Sequence, residues 1–164
     1  MVVILGIGNL LLSDEGLGVR ALELLRRDYT IPEGVKLIDG GTLGLDLLYF
    51  VEDAERLLVL DAISGGGPPG TLYTLKGEEV RGYFRRKVSM HELGFQEVLG
   101  LMELRGKGPK EIVVMGIEPE TIELGTELSP EIEAKLPELV DVAVCQLRSW
   151  GLEVKRKDGE TQGA

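Results

Sequence analysis

The sequence predicts an α/β protein: a three-layer α/β/α sandwich around a mainly parallel, twisted sheet. Short apolar runs recur at Val2–Ile7, Leu57–Asp61 and Lys110–Ile117, as expected of strands buried inside a layered domain. They alternate with longer segments of helical periodicity, the order that winds a parallel sheet between helices. Turn-forming clusters, Gly40-Gly41 and Ser64–Gly70, interrupt them. The 164 residues suffice for one domain with a substantial core, read here as residues 1–154 followed by a polar, frayed tail from 155 to 164.

The elements follow in order. Val2–Ile7 is the first strand. Ser13 is placed to cap a helix running to about Tyr29, with Asp14 and Glu15 at its positive pole. Val35–Asp39 is the second strand, and a helix from about Leu43 to Asp53 leads to the third strand, Leu57–Asp61. The run SGGGPPG, Ser64–Gly70, is a loop and a candidate flexible rim; Thr71–Leu75 is then a strand at a sheet edge. Ser89-Met90-His91-Glu92 has the S-x-x-E capping pattern and opens a helix to about Arg105. Lys110–Ile117 is a buried strand. Pro130 starts the last helix, which runs to about Trp150 and repeats Ile132, Leu136, Leu139, Ala143, Leu147 and Trp150 on one face. Cys145 falls on the opposite face, near the surface.

Bulk properties exclude several functions. Hydrophobic residues make up 43% of the chain, so it is not a disordered composition, and the formal net charge is −10. That charge disfavours nucleic acid and anionic membranes, which need a basic face. The short basic cluster Arg85–Lys87 reads as solvated surface. One cysteine permits neither an internal disulfide nor a multi-cysteine metal site. No segment has the length of a membrane span or the build of a signal peptide, and the expectation is a cytoplasmic protein.

Three polar residues fall at one edge of the predicted sheet. Glu15 follows the first strand, Asp61 ends the third, and His91, the single histidine, sits in the first turn of a later helix. Parallel strands put their carboxyl ends on one side, where α/β proteins assemble ligand sites. Two carboxylates and an imidazole make a divalent-metal site with open positions, suited to nickel, zinc, iron or manganese alike. Each has a structural alternative: Glu15 as a helix-dipole partner, Asp61 as a turn former, His91 as a local cap. The glycines of GIGNLLLSDEG lack the spacing of a dinucleotide fingerprint and the lysine–hydroxyl pair of a phosphate loop, and a nucleotide site is not expected.

Taken together, these motifs resemble the maturation endopeptidases of nickel-iron hydrogenases. The likeness spans about residues 1–150: GIGNLLLSDEGLGVR at Gly6–Arg20, DGGTLG at Asp39–Gly44, LDAI at Leu60–Ile63, SMHELG at Ser89–Gly94 and GIEP at Gly116–Pro119. The resemblance implies an enzyme that removes a short carboxyl-terminal extension from the hydrogenase large-subunit precursor after nickel insertion. It implies Glu15, Asp61 and His91 as metal-binding positions and Asp39 as an acid of recognition or cleavage. The nickel would be substrate-borne and transient, with no permanent cofactor. Two routes to cleavage stay open: nickel polarises the scissile carbonyl or activates water with a carboxylate as general base, or nickel only positions the peptide and hydrolysis depends on an acid such as Asp39 or Asp14. The alternative reading is a non-enzymatic nickel-binding chaperone or sensor, or a zinc hydrolase with a resident metal.

Overall fold

The computed structural model describes residues 1–40, 47–86 and 93–157. Its centre is a five-stranded sheet built from β1 (Val2–Gly6), β3 (Val35–Asp39), β4 (Arg56–Ala62), β5 (Leu72–Lys76) and β6 (Glu111–Ile117), in the order β3-β1-β4-β6-β5. All pairs are parallel except β5 with β6, so the predicted mainly parallel sheet is present, with β5 at an edge. Helices α1 (Leu17–Asp28) and α5 (Pro130–Ser149) cover one face, while α2 (Leu47–Val51), α3 (Glu78–Arg86) and α4 (Leu93–Leu104) contribute to the other.

Alternation along the central strands feeds both layers. Ile4, Leu58 and Leu60 join Leu17, Leu22, Leu25, Leu139 and Leu147, whereas Val3, Leu5, Leu57 and Val59 pack with Val51, Val80 and Met102. Burial on both faces is why these strands read as continuous apolar runs. The recurring apolar face of α5 is buried from Ile132 to Leu147, Trp150 caps the helix end and is only partly buried, and Cys145 is exposed.

The structure revises the sequence reading at four places. Ser13 caps no helix: residues Ser13–Gly16 form a 3-10 turn, Ser13 has φ 52°, and its hydroxyl donates to the Glu123 carbonyl at 2.7 Å. The α-helix proper begins at Leu17. Helix α3 was not anticipated; it takes in Arg85 and Arg86 of the basic cluster. Within the supposed frayed tail, β7 (Lys155–Arg156) pairs antiparallel with β2 (Tyr29–Thr30). The fourth, the Ser64–Gly70 loop, belongs to the site below. The DGGTLG segment beyond Gly40 and the capping box Ser89–Glu92 lie outside the described residues.

Candidate active site

The carboxyl edge of the sheet is assembled by close backbone approach. Gly18, in the first turn of α1, lies so near β4 that a Cβ there would stand 2.1 Å from the Leu60 carbonyl oxygen. Gly8 has φ 137°, and a Cβ on it would fall 1.9 Å from the Glu15 carbonyl. Only glycine fits both positions, and the result is a 3-10 turn packed against the end of β4. Glu15 rides on that turn, half-buried, and Asp61 is the penultimate residue of β4.

Register brings a third acid to the same edge. Gly6 pairs with Asp39 on one side and Leu60 on the other, so Asp39 and Asp61 end strands that flank β1. Asp39 is exposed; Asp61 is fully buried. Burying a carboxylate costs several kcal/mol unless its oxygens are engaged. Here Asp61 Oδ1 accepts from the Ala62 N–H at 2.8 Å, and the Tyr83 hydroxyl lies 2.8 Å from both Asp61 Oδ2 and the Ala62 carbonyl. Tyr83, buried on α3, fixes the orientation of Asp61, and the sequence reading missed it. Its signal was its place on the apolar stripe of α3 beside Val80.

Thus Glu15, Asp39 and Asp61 share one edge, while His91 lies outside the described residues. Among the described residues no three His, Cys, Asp or Glu side chains gather into a metal-holding group.

Asp14, adjacent to Glu15, has another task. It is fully buried, and its carboxylate accepts four hydrogen bonds: from Glu120 N (2.9 Å), Thr121 N (3.0 Å), Ser129 N (2.7 Å) and Ser129 Oγ (2.7 Å). A carboxylate with its lone pairs so occupied is a poor general base. This chemistry removes Asp14 from the two acids left open above.

The Ser64–Gly70 loop is fastened rather than a loose rim. Glu118 Oε1 accepts from Gly65 N and from the Tyr73 hydroxyl, both at 2.8 Å, and the Tyr73 oxygen accepts from Gly67 N at 3.0 Å. Gly70 N–H donates to the Glu118 carbonyl at 2.9 Å. Burial, then the Glu118 carboxylate, hold the Tyr73 phenol above its ordinary range.

Known proteins share this architecture and its sequence. A family model described as hydrogenase maturation protease matches residues 19–146. The chain is 38% identical over 153 residues to the hydrogenase 2 maturation protease of Escherichia coli (strain K12), covering 93% of each. It is 41% identical over 158 residues to the hydrogenase expression/formation protein HupD of Bradyrhizobium diazoefficiens, covering 95% of this chain and 82% of that protein. The solved structure of the hydrogenase maturating endopeptidase HybD from E. coli superposes with a TM-score of 0.91 at 36% identity, over 96% of this chain and 98% of that one. The chain belongs to the hydrogenase maturation protease family, and its activity is that of an endopeptidase.

Proposed function

We propose that this chain removes the carboxyl-terminal extension of a nickel-iron hydrogenase large-subunit precursor once nickel has been inserted, and that Glu15, Asp61 and His91 read the nickel held by the substrate. The observation that carries the reading is the packing of the Glu15 turn against the end of β4, which brings two of the three donors to one edge of the sheet. Family membership supplies the protease chemistry. An incomplete ligand set suits a metal that arrives with its own ligands better than a resident one.

The cleavage step follows from the same edge. Water adds to the scissile carbonyl carbon and gives a proton to a carboxylate; the C–N bond then breaks and that proton passes to the leaving amine. Asp39, exposed at the end of β3, is the acid assigned to this transfer. Substrate nickel supplies polarisation of the carbonyl or orientation of the peptide. On this reading the protein works in the cytoplasm, and no described helix is long and apolar enough to cross a membrane.

The test is the intact mass of a cognate precursor incubated with the enzyme, with and without nickel loading. Loss of a short carboxyl-terminal fragment is expected in the loaded sample alone, and Asp61→Ala or His91→Ala should abolish it while leaving the fold intact. Cleavage of both samples would discard nickel as the gate. Normal cleavage by either variant would discard the reader assignment, and no mass change with a verified cognate pair would favour a chaperone.

A further inference from the structure

Beside Glu15 the surface carries apolar side chains that the cleavage chemistry does not use. Leu11, Ile122 and Leu124 are 60%, 57% and 86% exposed. Leu11 belongs to the loop after β1, the other two to the loop after β6. Leu12 and Gly125 form a parallel bridge, in which Gly125 N donates to the Leu11 carbonyl at 3.0 Å and Ser13 N to the Gly125 carbonyl at 2.9 Å. This register sets Leu11 alongside Leu124. Both precede the bridged pair by one residue, so their side chains leave on the same side.

The two loops are braced in that arrangement. Asp14 accepts four hydrogen bonds from Glu120, Thr121 and Ser129, and Ser13 adopts the left-handed region with its hydroxyl bound to the Glu123 carbonyl. A buried carboxylate and a strained serine are costly ways to hold a loop. Lone exposed leucines are ordinary, but adjacent ones on a rigid frame form a contact surface. The surrounding segment, residues 118–129, contains four glutamates and no lysine or arginine, and Glu120, Glu123 and Glu127 are exposed. Arg20 of α1 reaches it, but its guanidinium is engaged by the Thr126 carbonyl at 3.0 Å and by Glu23 at 3.6 Å.

We propose that this patch docks the precursor polypeptide through an apolar residue flanked by lysine or arginine, bringing the scissile region to the neighbouring edge. The inference rests on the proposed function above. Charge complementarity selects this occupant. A second copy would set Glu120, Glu123 and Glu127 against their own counterparts across a two-fold contact, and like charges so juxtaposed repel.

The test compares Leu11→Ser/Leu124→Ser and Glu120→Gln/Glu123→Gln/Glu127→Gln with wild type and Asp61→Ala on full-length nickel-loaded precursor. Both patch variants should raise KM and weaken direct binding to immobilised precursor by about tenfold, with kcat within about twofold. Their thermal midpoints should match wild type, because every altered side chain is exposed. Added salt should weaken wild-type binding more than that of the glutamine variant. Wild-type KM and binding in both variants would overturn the docking surface and leave the cleavage reading standing. Normal cleavage by Asp61→Ala would overturn the nickel reading instead, with the binding measurement still deciding the patch. A wild-type dimer that the serine variant dissolves would make the patch a self-interface and overturn the proposal.

Discussion

Two adjacent acids, Asp14 and Glu15, have unlike tasks, and local sequence cannot separate them. What divides them is long-range: Asp14 turns inward to donors on residues 120–129, whereas Glu15 stays half-buried at the sheet edge. Glu15 and Asp61 were legible as edge residues because each follows or ends an apolar run, whereas Asp39 was picked out by the resemblance and its place at the same edge comes from the strand register. Tyr83 was not legible, since its partner Asp61 lies 22 residues earlier. The proposed division of labour among the acids predicts a contrast. Asp14→Ala strands four buried or half-buried donors and should lower the unfolding free energy by about 3 kcal/mol, read from urea melts. Asp39→Ala should retain nickel-dependent precursor binding while cleavage nearly stops. Unchanged cleavage by Asp39→Ala would remove it from the mechanism.

At the scale of elements, boundaries failed where tertiary contacts override local preference. Ser13 has the residue type of a helix cap, but its hydroxyl serves the Glu123 carbonyl, and the first turn tightens into a 3-10 form. The glycine- and proline-rich Ser64–Gly70 segment reads as a flexible loop because its fasteners, Tyr73 and Glu118, come from β5 and from the residue after β6. The fastening has a pH signature. With its phenol held above the ordinary value of about 10, Tyr73 stabilises the fold in its neutral form. That contribution is complete below the unfolded value and is lost as pH climbs through the raised folded value. Wild type should therefore exceed Tyr73→Phe by about 1 kcal/mol near neutrality, and the gap should close above about pH 10. Thermal melts from pH 7 to 11 give the comparison, and parallel curves would show that the phenol carries no such coupling.

Across the whole molecule, the layered architecture was legible because strands buried on both faces leave continuous apolar runs, and α5 repeats its apolar residues at helical spacing. The strand order β3-β1-β4-β6-β5 and the reversed direction of β5 depend on crossovers that no local pattern encodes. The same holds for β7, whose charged Lys155-Arg156 pair reads as tail until Tyr29 and Thr30 are brought alongside. Lys157 N donates to the Asp28 carbonyl at 2.9 Å, and the Arg156 guanidinium lies 5.5 Å from the centre of the buried Tyr29 ring. Neither β7 residue belongs to the apolar clusters, whereas Val154 does. Truncation after Val154 should therefore keep the fold and the cleavage rate while uncovering one face of Tyr29. The cost expected from a cation–π contact and two residues of ladder is about 1 kcal/mol, a fall of roughly 2–4 °C in Tm for a domain of this size. Calorimetry of the truncated and full chains measures it. Loss of cooperative unfolding on truncation would mean that the domain extends beyond Val154 and that β7 is one of its structural strands.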